Sequence, residues 1–121
     1  MPDSTFGREK RLLTARSYRA VFGDTCYKVA HPNLLLLARP NELSHPRLGL
    51  VVAKKHIRHA VDRNRVKRVV RDSFRRAQDL LDSLDIVFLA RQGIDQLSPA
   101  EQTALLENSW RRLSRKLQAN S

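Results

Sequence analysis

The sequence predicts an α+β fold in which three helices pack on a single four-stranded sheet, in the order α-β-β-β-α-β-α. Four short apolar runs are bounded by turn-forming residues, as strands are. Two longer segments repeat their apolar residues every three or four positions, as helices packed through one face do. A chain of 121 residues is long enough for one domain with a single modest core.

The first half of the chain predicts one short helix and three strands. Thr14 is a suitable cap for a helix that runs to about Phe22, where the Gly-Asp pair at 23–24 ends it. Turn residues separate the apolar runs that follow, which we expect to form strands at 25–30, 34–39 and 47–53. The third run is almost continuously apolar, which favours a central position in the sheet.

The second half predicts a helix, a fourth strand and a last helix. The run DIVFLA at 85–90 is typical of a strand buried on both faces. Ser98, Pro99 and Glu101 combine a cap, a proline at the first helical position and a capping box, so a helix begins there. Its apolar positions recur at helical spacing: Leu106, Trp110, Leu113 and Leu117.

The charge balance indicates a polyanionic partner. The chain has 23 Lys and Arg residues against 12 Asp and Glu, a formal net charge of +11. Its longest apolar run, 34–38, is too short to cross a bilayer, and its one cysteine, Cys26, excludes an intramolecular disulfide. We expect a cytoplasmic protein with no membrane contact. We also expect one domain over 1–121, with a flexible basic arm at 1–10 and a frayed tail at 118–121.

The stretch DRNRVKRVVRDSFRR, residues 62–76, places dense positive charge on a helix. Residues 54–76 hold ten of the 23 basic residues and only two acids. At about 100° per residue, one arc of roughly 140° collects Val66, Val69, Val70, Phe74, Ala77 and Leu81. The opposite face carries a line of Asn64, Arg68, Arg71 and Arg75, with Lys67 to one side. Arg63 points toward the apolar side, so it should lie in the first turn and reach around.

A solvated helix face is the simplest alternative for this stretch. Solvated faces usually mix charges of both signs, because pairs of opposite charge one turn apart stabilise a helix. Here Arg68, Arg71 and Arg75 place like charges one turn apart, which is unfavourable without an external counterion. Arginine also grips phosphate through two hydrogen bonds at once. The pattern therefore indicates a phosphate backbone as the ligand.

The segment LGLVVAKKHIRHAVDRNRVKRVVRDSFR, residues 48–75, resembles the signature of the bacterial ribonuclease P protein subunit. The resemblance extends to RLLTARSYRAVF at 11–22, HPRLGL at 45–50, DIVFLARQG at 85–93 and the last helix. It implies a left-handed crossover between the third and fourth strands, against the usual right-handed rule. It also implies that the protein assists removal of the 5′ leader of precursor tRNA, while the RNA subunit performs the chemistry with Mg²⁺.

The resemblance also implies the site residues. The contacts with the RNA subunit are expected to be Lys54, Lys55, Arg58, Arg63, Asn64, Arg65, Lys67, Arg68, Arg71 and Arg75. The leader cleft is expected to contain Tyr18, Phe22, Arg16 and Arg11, with the two rings stacking on bases. The spacing of Tyr18 and Phe22 by itself favours core packing instead. The expected partners are the catalytic RNA subunit and precursor tRNA, with no protein partner and no cofactor bound by the protein itself.

The residues bear on three other kinds of function. An active site within the protein would need converging carboxylates or a catalytic pair such as His56 and His59, which lie in a basic loop where imidazoles more often only touch phosphate. We therefore expect no catalytic residue and no metal site. A ribosomal or RNA-chaperone protein would have the same composition and is the alternative function. A DNA-binding helix is disfavoured, because the strands leave no compact three-helix unit.

Overall fold

Among the described residues, three α-helices and four strands follow one another in the predicted order. The computed structural model describes residues 15–119. Its elements are α1 (Ala15–Gly23), β1 (Tyr27–His31), β2 (Leu34–Pro40), β3 (Arg47–Val51), α2 (Ala60–Leu81), β4 (Leu84–Ala90) and α3 (Pro99–Ala119). A short 3₁₀ helix at Ile94–Gln96 links β4 to α3. The expected cap Thr14 and the arm at 1–10 lie outside the described residues, and α3 continues through the expected tail as far as Ala119.

The four strands form one mixed sheet in the order β1-β2-β4-β3. β1 pairs with β2 and β2 pairs with β4 in antiparallel register, whereas β3 and β4 are parallel. Because α2 connects β3 to β4, these three elements form the crossover unit that the resemblance implies. The handedness of the crossover stays a prediction.

The prediction of a central β3 is wrong, because β3 lies at the edge of the sheet. β4 lies inside the sheet, with β2 on one side and β3 on the other. The apolar run of β3 reflects cover on both faces of the sheet. Leu48 packs into the main core, while Gly49 faces the ring of Tyr18 on the opposite face. Helices on both sides therefore make an edge strand apolar throughout.

Different helices cover the two faces of the sheet. On one face, here called the α2–α3 face, α2 and α3 pack on alternate strand residues such as Leu36 and Phe88, which are fully buried. On the other, the α1 face, Val21 of α1 packs against Val87 of β4. The main core thus lies beneath α2 and α3, and α1 covers a smaller second cluster.

The apolar arc predicted for α2 is its buried side. Val66, Val70, Phe74, Ala77 and Leu81 are buried there, and Val69 is packed against them. The Phe74 ring meets the Trp110 ring edge-on, with 6.0 Å between centroids and an interplanar angle of 68°. The Trp110 indole N–H donates to the Ser73 hydroxyl at 2.8 Å. These contacts fix the rotation of both helices about their axes, and so fix which side chains face outward.

The predicted capping box begins α3. The Glu101 backbone N–H donates to the Ser98 hydroxyl at 3.1 Å, and the Ser98 backbone N–H donates to Glu101 Oε1 at 2.8 Å. The Ser98 backbone N–H foremost, and then the Ser98 side chain, favour the charged carboxylate and lower the pKa of Glu101. The start of the last helix is therefore encoded locally, as the sequence indicated.

Candidate nucleic-acid interface

The side of α2 that faces away from the core presents the predicted polar row. Asn64, Arg68 and Arg71 are exposed, and with Asp72 they line a shallow depression on the surface. A second depression, beside the first, is lined by Val61, Asn64, Arg65 and Arg68. The row stands opposite the buried arc, so its guanidinium groups are held at fixed spacing toward solvent.

Ion pairs divide the arginines of this row, together with the neighbouring Arg65, into two groups. Arg65 lies 3.9 Å from Asp62, and Arg75 lies 3.2 Å from Asp72. Arg68 and Arg71 form no ion pair with any carboxylate of residues 15–119. Since exposed ion pairs contribute little, an incoming phosphate could displace either acid. Arg68 and Arg71 need no such exchange, which makes them the most available anion ligands of the row.

The turn between β3 and α2 extends the positive surface beyond the helix. Lys54, Lys55 and Arg58 are exposed there. Ile57 anchors the turn, because its side chain is fully buried and its N–H donates to the Ala53 carbonyl at 3.1 Å. The turn is therefore attached to the core at one residue, while its three cations face solvent.

Arg63 has a different position from the other cations of the motif. Its Nη1 donates to the carbonyls of Ile57 and Arg58, both at 3.0 Å. The side chain thus reaches back around the first turn of α2, as the helical count predicted. The geometry makes Arg63 a brace between α2 and the preceding turn, and any contact with a ligand would come from its remaining N–H groups.

On the α1 face, a groove of about 610 Å³ runs between α1 and the ends of three strands. We call it the α1 groove. Its lining carries both signs of charge: Arg16 and Asp24 near α1, Arg39 and Arg47 on the strands, and the acids Glu42 and Asp85. Arg39 is tied to α1 at this point, because its Nη1 donates to the Ala20 carbonyl at 3.3 Å and its Nη2 lies 3.7 Å from Asp24.

A buried carboxylate organises the floor of the α1 groove. Asp85 is 6% exposed and accepts two hydrogen bonds from Arg47, from Nε at 2.8 Å and from Nη2 at 2.7 Å. Asn41 donates to the same carboxylate at 2.9 Å. The hydrogen bonds with Asp85 raise the pKa of Arg47 above its ordinary value. This bidentate pair holds the Arg47 guanidinium rigidly, with its Nη1 unused by the carboxylate.

Tyr18 and Phe22 lie on α1 but have different environments. The Tyr18 ring packs so closely on Gly49 that a Cβ at that position would lie 2.7 Å from the ring. Its hydroxyl accepts the Leu50 N–H at 3.2 Å, so Tyr18 is held against β3. Phe22 is 46% exposed, among the most exposed large apolar side chains of the described residues.

The residues predicted for the leader cleft do not share one groove. Arg16 lines the α1 groove, whereas Tyr18 and Phe22 are not part of its lining. At about 100° per residue, Arg16 and Ala20 lie on one side of the buried Val21, and Tyr18 and Phe22 lie on the other. α1 therefore separates a charged surface from an aromatic one. Arg11 lies outside the described residues.

Comparison with known proteins gives one consistent family. The family model described as Ribonuclease P matches residues 6–114. The chain is 50% identical over 115 residues to the ribonuclease P protein component of Azotobacter vinelandii, covering 95% of this chain and 88% of that protein. It is 48% identical to the component of Chromohalobacter salexigens over 121 residues, covering 100% of this chain and 94% of the other. The chain belongs to the ribonuclease P protein family.

Solved structures of the ribonuclease P family have the same fold. The RNase P protein of Thermotoga maritima superposes with a TM-score of 0.74 at 28% identity, over 84% of this chain and 96% of that one. The protein of Staphylococcus aureus gives a TM-score of 0.73 at 25% identity, over 90% and 95% of the two chains. The resemblance drawn from the sequence is thus confirmed, and the alternative of a ribosomal or RNA-chaperone protein is not favoured.

His56 and His59 are the histidines that could take part in chemistry within the protein itself. His59 precedes α2 without capping it through its side chain, and His56 lies in the turn before it. Among residues 15–119, no three His, Cys, Asp or Glu side chains are grouped closely enough to hold a metal ion. Over the same residues, no helix is both long and apolar enough to cross a membrane.

Sequence reasoning missed the Arg47–Asp85 pair and its neighbours Arg39 and Asn41. The two members of the pair are 38 residues apart and meet because β3 and β4 are parallel, with Arg47 in register with Asp85. A signal was present in the sequence, because Arg47 opens the apolar run RLGLVVA and Asp85 opens the apolar run DIVFLA, with opposite charges. Recognising the Arg47–Asp85 pair from these charges would have required knowledge of which strands are paired, and the sequence alone does not show that.

Proposed function

We propose that the chain acts as the protein subunit of ribonuclease P, which binds the catalytic RNA and assists Mg²⁺-dependent removal of the 5′ leader from precursor tRNA in the cytoplasm. The observation that carries this proposal is the row of Asn64, Arg68 and Arg71, held outward on a helix whose opposite side is buried, in a chain of this family. Rigidly spaced guanidinium groups suit a phosphate backbone, because each can donate two parallel hydrogen bonds.

In this proposal the RNA subunit lies against the polar row of α2 and against the turn between β3 and α2. Arg68 and Arg71 make the principal phosphate contacts, because no carboxylate competes for them. The further contacts come from Lys54, Lys55, Arg58, Asn64, Arg65, Lys67 and Arg75. Arg63 contributes by holding the turn and the helix in one arrangement, through its two hydrogen bonds to carbonyls.

The leader of precursor tRNA lies on the α1 face in this proposal, beside α1. Phe22 offers an exposed ring on which an unstacked base can stack, with Tyr18 next to it on the sheet. Stacking of this kind is worth about 1–3 kcal/mol per base and tolerates any sequence, as a general tRNA processor requires. Arg16 and Arg39 lie on the other side of α1, so the leader's phosphates would reach them where the strand passes over that helix.

The protein supplies binding rather than the reacting groups. The Mg²⁺ ions that activate water and stabilise the leaving oxygen are held by the RNA subunit and substrate, whose phosphates are natural ligands for this ion. The protein itself binds no cofactor and needs no protein partner. Its contribution is to favour precursor over mature tRNA, because only the precursor carries the leader.

Copurification and binding measurements test this proposal. The tagged chain should recover one dominant structured RNA of several hundred nucleotides, and recovery of ribosomal RNA instead would contradict the assignment. Arg68→Ala with Arg71→Ala should weaken binding to that RNA and lower the slope of log affinity against log salt by about one unit per lost contact. RNA-free protein should not cleave precursor tRNA.

The leader contact has its own test. Phe22→Ala should weaken the holoenzyme's affinity for precursor tRNA by about tenfold or more, from the loss of one stacked base. Affinity for mature tRNA and for the RNA subunit should hardly change. Because Phe22 is exposed, the fold should survive the substitution, and a melting curve checks this. Equal loss for precursor and mature tRNA would mean that the leader binds elsewhere.

A further inference from the structure

A second group of cations lies on the C-terminal half of α3. Between residues 108 and 119 the helix carries four basic residues and no acid: Arg111, Arg112, Arg115 and Lys116. Three of them are exposed, and Arg112 is half-buried. None forms an ion pair with a carboxylate of residues 15–119. This part of α3 therefore carries positive charge without an internal counterion.

The core fixes where these cations point. Leu106, Trp110 and Leu113 are fully buried and set the rotation of α3 on the sheet. Arg112 also reaches the edge of the sheet, where its Nη1 donates to the Ala30 carbonyl at 3.5 Å. Arg111 and Arg115 lie one turn apart on the exposed side, so their like charges are held close together. Such a pair destabilises a helix unless a partner supplies negative charge.

The positive surface crosses from α3 to α2. Arg111 and Arg76 of α2 line one small groove of about 160 Å³, with Trp110 beneath them. Arg76 is exposed and forms no ion pair within the part of the chain described here. Glu107 also lines the groove and is the last acid of α3. We define the α3 basic surface as Arg76, Arg111, Arg115 and Lys116.

The helix dipole explains only part of this charge. Basic residues stabilise the last turn of a helix, where carbonyl groups lack partners, and Lys116 lies there. The effect falls off within that turn, and Arg111 is eight residues before the end of α3. The dipole also gives no reason for Arg76, which belongs to α2. The dipole therefore does not account for the surface as a whole, and clustered positive charge of this kind favours a polyanionic partner.

We propose that the α3 basic surface is a second contact with the catalytic RNA subunit, separate from the α2 row, and that it binds the sugar-phosphate backbone. This inference rests on the proposed function. Arg76 lies five residues beyond Arg71, about 7.5 Å along α2 at 1.5 Å per residue and about 140° around it. The two guanidinium groups therefore point to different sides of the helix and would bind different phosphate groups.

The position of the α3 basic surface favours the RNA subunit, rather than the leader, as its partner. α2 and α3 cover the same face of the sheet, whereas Phe22 and the α1 groove lie on the opposite face. A large folded RNA seated against the α2–α3 face can reach both basic surfaces at once. A single strand held beside α1 would have to pass around the sheet. The α3 basic surface therefore extends the RNA-subunit interface.

A double substitution in the full chain tests this inference. Arg111→Ala with Arg115→Ala should lower affinity for the isolated RNA subunit by about tenfold or more, since each charge-assisted hydrogen bond is worth about 1.5–3 kcal/mol. The slope of log affinity against log salt should fall by about one unit per lost phosphate contact. Alanine favours the helix at both exposed positions, and a Trp110 fluorescence melt checks the fold.

A charge-matched control separates a local contact from a general effect. Ala100→Glu with Ala104→Glu changes the net charge by the same amount, at exposed positions on the N-terminal half of α3. This control should bind RNA with a nearly unchanged salt slope. Equal losses for the control and for the double arginine variant would overturn the inference, because net charge alone would then explain both.

The outcome also distinguishes this inference from the proposed function. If the α3 variant binds the RNA subunit like the unsubstituted chain while Arg68→Ala with Arg71→Ala does not, the second contact is wrong and the proposed function stands. If neither variant loses affinity, the proposed function fails. A loss confined to precursor tRNA would assign the α3 basic surface to the substrate and overturn the choice of partner. Losses at the two surfaces should add, because the surfaces are well separated.

Discussion

Gly49→Ala should destabilise the protein through one identified contact. A Cβ at position 49 would lie 2.7 Å from Tyr18 Cε1, about 0.7 Å short of ordinary contact, which begins at 3.4 Å. The ring cannot withdraw freely, because its hydroxyl accepts the Leu50 N–H and its neighbours on the α1 face are packed. The substitution must therefore shift Tyr18, and α1 with it.

The expected cost follows from three opposing contributions. Overpacking costs about 1–3 kcal/mol. Loss of the hydrogen bond from Leu50 to Tyr18 adds about 0.5–1.5 kcal/mol. Replacing glycine within a strand returns about 0.5–1 kcal/mol. We expect a net loss of about 1–3 kcal/mol in the free energy of unfolding, which lowers the melting temperature by about 4–12 °C in a domain of this size.

A double-mutant cycle with Tyr18→Ala measures this contact directly. Once the ring is gone, Gly49→Ala should be neutral or slightly stabilising, so the coupling energy between the two positions should be about 2 kcal/mol. Thermal and denaturant unfolding can be followed by the fluorescence of Trp110, the single tryptophan of the chain and fully buried. The result that refutes the reasoning is additivity, with Gly49→Ala equally costly in both backgrounds.

Three further predictions concern stability. Val70→Asp should lower the urea concentration at which the domain unfolds, because it buries a charge in the core. Arg68→Ala should leave the midpoint of the urea titration nearly unchanged, because Arg68 is exposed. A larger loss of stability for Arg68→Ala than for Val70→Asp would mean that the faces of α2 are wrongly assigned. The pKa of Glu101 is lowered, so the carboxylate stabilises the folded protein fully above its ordinary pKa of 4.5, and this stabilisation is lost as the pH falls below that value. The melting temperatures of the parent and of Glu101→Ala should therefore converge in acid. A constant difference between the two would contradict the capping box. Sulfate should raise the melting temperature more than chloride at equal ionic strength, because it binds the folded basic surfaces; equal effects would indicate screening alone.

The features predicted well from the sequence depend on neighbours within one or two helical turns. The arc of Val66, Val70 and Phe74 and the row of Arg68 and Arg71 follow from helical spacing, which needs no knowledge of the rest of the fold. The capping box is likewise complete within four residues. Even the reach of Arg63 toward the turn before α2 follows from its position in the first turn.

The features that were wrong or missed depend on strand pairing. The apolar run indicates that β3 is covered on both faces, but it does not indicate whether β3 has a neighbouring strand at both of its edges. The pairing of Arg47 with Asp85 needs the parallel register of β3 and β4, and the contact of Tyr18 with Gly49 needs the docking of α1 on β3. The separation of Tyr18 and Phe22 from Arg16 needs the docking of α1 as well, because it depends on which side of that helix is buried, and the buried residue is Val21.

The sequence by itself determined the element order, the two faces of α2 and the excess of positive charge, because each follows from local spacing or from composition. The family followed from the resemblance of residues 48–75 to a known signature. The tertiary structure decided which cations remain without a carboxylate, which aromatic ring is exposed and which surfaces share a face of the sheet. Those properties depend on residues far apart in the chain that the sheet brings together. Arg47 and Asp85 are 38 residues apart, and only the parallel pairing of β3 with β4 places their side chains 2.7 Å apart.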